Sequence, residues 1–107
     1  MTRVVVAAGL LFAASAAVAQ PSIETVEFTC ERGAWVTATY VGQGADLAIV
    51  LMIDGRQVGL PVTRSGSGVR FADPDSGYVW HEKGATAVLL WQQESETQTI
   101  YADCRSN

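Results

Sequence analysis

From Ile23 to Cys104 apolar and polar residues alternate in short runs, and turn-forming residues separate those runs. Val26, Phe28 and Cys30 fall on one face of the first run, and Val36, Ala38 and Tyr40 share a face of the second. No long stretch repeats apolar residues at i, i+3, i+4 and i+7 between capping signals, so the period is that of strands. The pattern predicts strands over residues 23–30, 35–40, 47–53, 57–60, 68–72, 78–81, 86–92 and 97–104. Residues 47–53 are apolar almost throughout, which predicts a strand buried on both faces. Trp35, Trp80 and Trp91 sit within strand-like segments and are expected to pack in or against the core. Between the strands lie Gly42-Gln43-Gly44, Asp54-Gly55, the 73–77 segment, Lys83-Gly84 and Glu94-Ser95-Glu96. Asp-Gly is the strongest hairpin signal among them, because both residues tolerate positive φ. Eight strands joined by short turns predict an all-β meander of antiparallel hairpins, a small barrel or sandwich.

Residues 1–19 have a different texture. Arg3 supplies a positive start, residues 4–16 are almost wholly apolar, and Ala17-Val18-Ala19 matches the small-residue pattern of a secretory cleavage site. The apolar run is shorter than the roughly 20 residues of a membrane-spanning helix. A signal peptide over residues 1–19 and a mature domain over 20–107 are therefore expected. No cysteine stands just after the apolar run, so a soluble periplasmic form without a lipid anchor is preferred over a lipoprotein.

The mature domain has 88 residues, enough for one core and too few for two. Its two cysteines, Cys30 and Cys104, lie near its ends. In an oxidising compartment a disulfide between them closes nearly the whole chain into one loop. A metal or redox pair is a poorer reading, since the cysteines lack C-x-x-C spacing and His81 is the chain's single histidine. No cofactor is expected.

The chain carries seven basic and eleven acidic side chains. Arg3 belongs to the leader, so the mature domain has a net charge of −5 with six basic residues. Nucleic acid is disfavoured as a partner, and a basic protein surface is favoured.

Two segments carry the functional signal: Ser65-Gly66-Ser67-Gly68-Val69-Arg70-Phe71-Ala72-Asp73 and Tyr78-Val79-Trp80-His81-Glu82-Lys83-Gly84. Together with the bracketing Phe28-Thr29-Cys30 and Cys104, they resemble the paired motifs of the membrane-bound and periplasmic inhibitors of c-type lysozyme. The resemblance covers about residues 26–104 and implies a small eight-stranded antiparallel β-barrel closed by one disulfide. It also implies that the chain is not an enzyme, and that a serine and a lysine on adjacent loops, here Ser67 and Lys83, enter the lysozyme cleft. A c-type lysozyme works with one protonated and one ionised carboxyl group. An ammonium on a long stem and a compact hydroxyl suit that target. Gly66 and Gly68 would allow close approach, Gly84 a sharp turn behind the lysine, and Tyr78 would flank the interface.

The chain departs from the family pattern at Phe71, where tyrosine is common, in a slightly longer 73–77 loop, and at Ala85-Thr86-Ala87, where acidic residues are frequent. Arg70 is expected to bridge within the domain, to Asp73 for example, and His81 to lie on the surface without a partner for metal or acid–base work. A hydrolase reading fails because Ser67 has no G-x-S-x-G context and nothing completes a triad. The alternative is a small periplasmic β-barrel that binds a glycan or another small ligand.

Overall fold

A computed structural model describes residues 22–107; the leader expected over 1–19 lies outside the described residues. Eight strands follow one another: β1 (Ile23–Thr29), β2 (Trp35–Val41), β3 (Ala48–Ile53), β4 (Arg56–Thr63), β5 (Val69–Ala72), β6 (Tyr78–Lys83), β7 (Thr86–Gln93) and β8 (Glu96–Ser106). Each pairs antiparallel with the next, and β8 returns to β1, so the sheet closes into a barrel. Single 3₁₀ turns at Glu31–Gly33 and Gly44–Asp46 occupy two of the connections. Asp54 and Gly55, with φ of 48° and 77°, form the two-residue link between β3 and β4 that their residue types favour.

Inward positions fill the barrel with side chains, as expected at this strand number. Trp80, Phe71, Ile49, Leu51, Leu60, Leu89 and Val36 are fully buried, and the Phe28 ring meets Trp80 edge-on at 5.1 Å. The closing seam between β1 and β8 is short, with only Phe28 opposite Ser106 and Thr29 opposite Arg105 in register. The Cys30–Cys104 disulfide sits beside that seam and links positions 74 residues apart. Register shifts between β7 and β8, near Asp103 at φ 52°, bend β8 across to reach β1.

Three expectations need correction. β3 is not buried on both faces: Ile49, Leu51 and Ile53 point inward, while Met52 is 39% exposed on the outer wall. A strand in a single-layered barrel wall has one wet face, whatever its composition. Trp35 is likewise exposed, at 66%, because its place in β2 alternates with buried Val36. β4 runs on through Pro61 to Thr63. Pro61 stands opposite Ala48, and the β4–β5 ladder stops at Val62 opposite Phe71, so no ladder bond there needs the missing N–H.

Candidate functional site

Strand direction brings the β4–β5 and β6–β7 connections to one end of the barrel. β4 ends and β5 begins there, around the Ser65–Gly68 segment, and β6 turns there into β7. Lys83 lies opposite Thr86, so Gly84-Ala85 is a two-residue hairpin link with Gly84 at φ 62° and the Lys83 carbonyl accepting from Thr86 Oγ1 at 3.3 Å. The β5–β6 register sets Val69 opposite Glu82, which brings Gly68 against the β6 backbone. A Cβ on Gly68 would overlap the Glu82 carbonyl oxygen and come within 3.3 Å of the Lys83 Cα. Its φ of 69° also lies where other residues are strained. The pairing thus requires glycine at this position and sets the loop bearing Ser67 beside Lys83. Ser67, Lys83 and Gly84 are exposed; Gly66 has open space around it.

The Ser67 loop is braced from within. Ser65 Oγ donates to the Ser67 carbonyl at 2.5 Å and accepts from the Ser67 amide at 3.3 Å. His81 on β6 donates from Nε2 to the same carbonyl at 2.9 Å. His81, expected on the surface, is half-buried with a defined backbone partner. Its partner lies 14 residues away, which the local sequence pattern does not show.

A second brace crosses the barrel mouth. Tyr40 donates its hydroxyl to Glu82 Oε2, and the Trp80 indole N–H donates to the same oxygen at 2.8 Å. Burial first, and the Glu82 carboxylate second, hold the Tyr40 hydroxyl above its ordinary value of 10.0. Glu82 escaped the sequence reading because the expected strand stopped at His81. Carrying the alternation one step past Trp80 would have placed a charge on the buried face, which is a recognisable signal.

Tyr78 is not part of this rim. It begins β6 opposite Trp91, five residues and about 17 Å along the strand from Lys83, and packs against the core. Arg70 has an internal role, but with different partners from the one expected: it donates to Thr63 Oγ1 and to Gln92 Oε1, each at 3.1 Å. Those side chains line an outer-wall cleft of about 620 Å3 that extends to Asp73, Pro74 and Gly77, at the end of β5–β6 away from Ser67 and Lys83. Ala72 and Val79, both buried, also line it.

Comparison with known proteins gives this geometry a family. The family model described as membrane-bound lysozyme-inhibitor of c-type lysozyme matches residues 28–98. A membrane-bound lysozyme inhibitor of C-type lysozyme from Yersinia enterocolitica is 29% identical over 104 residues, covering 97% of this chain and 81% of that protein. One of the same description from Cupriavidus necator is 31% identical over 88 residues, covering 80% and 68%. Among solved structures, Pseudomonas aeruginosa MliC, crystallised in complex with hen egg white lysozyme, superposes with a TM-score of 0.65 at 23% identity, covering 94% of this chain and 98% of that one. The Adhesin Complex Protein from Neisseria meningitidis shares the fold at a TM-score of 0.58 and 21% identity, covering 78% of this chain and 99% of that one. From the match to residues 28–98 and the 31% identity to the Cupriavidus protein, this chain belongs to the family of membrane-bound lysozyme inhibitors of c-type lysozyme.

Proposed function

We propose that this protein inhibits c-type lysozyme by seating the rim that carries Ser67 and Lys83 in the lysozyme catalytic cleft, where it occupies the substrate site without doing chemistry. The observation that carries this reading is the β5–β6 register, which sets two exposed polar side chains on neighbouring turns of one barrel end. Lys83 is the chain's single lysine and stands at the corner of a two-residue hairpin, so its ammonium is presented on a rigid base. The braces from Ser65 and His81 hold the Ser67 loop before any partner arrives, which lowers the ordering cost of binding. Gly84 and Gly68 shape the rim, Gly66 leaves it unobstructed, and Tyr78 takes no part. The family's name and the lysozyme held by the Pseudomonas relative point to the same class of partner.

The net charge of −5 for residues 20–107 supports steering toward a basic enzyme. A place in the cell envelope fits the membrane-bound relatives, and the leader-like residues 1–19 support export to the periplasm, where peptidoglycan needs protection.

The test is a titration of the oxidised protein into a c-type lysozyme acting on sensitive cells. Saturable suppression near one inhibitor per enzyme is expected. Lys83→Ala should weaken it by about 2–5 kcal/mol, since a lysozyme carboxylate is left unpaired in the contact, and Ser67→Ala by less. Undiminished inhibition by Lys83→Ala would remove the lysine from the mechanism. Failure of the folded, oxidised protein to slow any c-type lysozyme would end the reading.

A further inference from the structure

The Glu82 carboxylate has a second oxygen that the Tyr40 and Trp80 bonds do not use, since both donors converge on Oε2. Glu82 is half-buried, and among the described residues the one ion pair is Arg105 with Asp103, so no cation of the domain balances it. Glu24, opposite Tyr40 in the β1–β2 register, adds a second carboxylate on the same side of the mouth. Beside Glu82 opens a cavity of about 180 Å3, lined by Val26, Phe28, Gly84, Ala85, Thr86 and Ser106. Its size suits the head of one long side chain and its last methylenes, and its walls match them: apolar on β1, a carboxylate at one edge, and a hydroxyl from Thr86. The Gly84-Ala85 link borders this cavity directly behind Lys83, whose side chain alternates to the other face of β6.

We propose that this mouth pocket receives a guanidinium or ammonium side chain of the bound lysozyme, with Glu82 as its counter-ion. The inference rests on the inhibitor reading and adds a second anchor of opposite sign to Lys83. The two anchors read different features of the target: Lys83 needs an acidic group in the cleft, and Glu82 needs a basic residue at its lip. Because Tyr40 and Trp80 fix the carboxylate in advance, the pair forms without ordering Glu82, so its loss shows in the dissociation rate.

The Trp80 indole N–H is a built-in reporter, since it donates to the carboxylate in question. Methylguanidinium chloride titrated into the oxidised protein should move the Trp80 indole proton resonance saturably, while sodium chloride at equal ionic strength should not. Glu82→Gln keeps an acceptor for Tyr40 and Trp80 but removes the charge; it should abolish that response and release c-type lysozyme about tenfold faster, with little change in association. An unmoved indole resonance overturns the proposal, as does an equal response to sodium chloride or in Glu82→Gln, or lysozyme release at the parent rate. If the parent protein binds no lysozyme, the inhibitor reading fails instead, and the methylguanidinium titration, which needs no variant, still decides the pocket.

Discussion

The β1–β4 and β5–β8 walls enclose one core but are built differently. In the first, the ladders are long and regular: β1 pairs with β2 from Ile23 opposite Val41 to Thr29 opposite Trp35, and β3 with β4 from Ala48 opposite Pro61 to Ile53 opposite Arg56. In the second, β5 meets β4 only at Val62–Phe71 and Thr63–Arg70, and β7 and β8 slip register twice. The first wall leaves apolar Ile23, Trp35 and Met52 on its outside and holds its shape by backbone pairing. The second has its irregularity at the rim, where Gly68 presses against β6 and the side chains of Ser65 and His81 hold the Ser67 carbonyl. One half of the barrel is a frame, and the other presents two loops at a fixed spacing.

The largest effect should come from uncoupling the walls at their weak seam. Replacing Cys30 and Cys104 by serine should cost about 4–5 kcal/mol in denaturant unfolding, the entropy released by opening a loop of this size. A loss below about 1 kcal/mol would mean that the β1–β8 pairing holds the barrel unaided.

Next comes the rim. Gly68→Ala should cost about 1–3 kcal/mol and weaken lysozyme inhibition beyond what the stability loss explains, because the Ser67 loop must move off β6. Full inhibition by a stably folded Gly68→Ala protein would show that the spacing of the loops does not matter.

A smaller effect probes the tie between the walls, Tyr40 of β2 with Glu82 of β6. The folded protein keeps the Tyr40 proton above the ordinary value of 10.0, whereas the unfolded chain releases it there. Stability contributed by the neutral hydroxyl is thus complete below pH 10 and declines as pH rises above it. Thermal unfolding followed from pH 8 upward should show that decline in the parent and a shallower one in Tyr40→Phe; identical slopes would remove Tyr40 as the cause.

Smallest of all, Trp35→Ala on the frame's outer face should change stability by no more than about 0.5 kcal/mol. A larger loss would mean that the outer wall is covered in solution.

Much of the frame was legible in the sequence, because period-two alternation reports a barrel's inward face directly. Phe28, Val36 and Ala38 declared themselves in that way, and Asp54-Gly55 declared its hairpin. The outward face is less legible: Leu47 to Ile53 read as doubly buried because an apolar residue in a barrel wall looks the same from either side. At the rim, Ser67 and Lys83 were singled out through family resemblance, and the strand register sets them on neighbouring turns. Tyr78 was expected beside the rim through closeness in sequence, and β6 carries it to the opposite end from Lys83. The bond from His81 to Ser67 spans 14 residues, where no local pattern reaches, whereas Glu82 was missed because the expected strand ended one residue before it.

The seam between β1 and β8 also sets an order of events. Its residues are among the most distant in the chain, so neither the ladder at Phe28 and Ser106 nor the bond from Cys30 to Cys104 can form until β8 is available. Until then β1 is an open edge and the barrel an unclosed sheet. In a reducing cytosol the covalent half of the closure is withheld as well. Under the export proposed above, a chain arranged in this way would leave its covalent closure until after passage out of the cytosol.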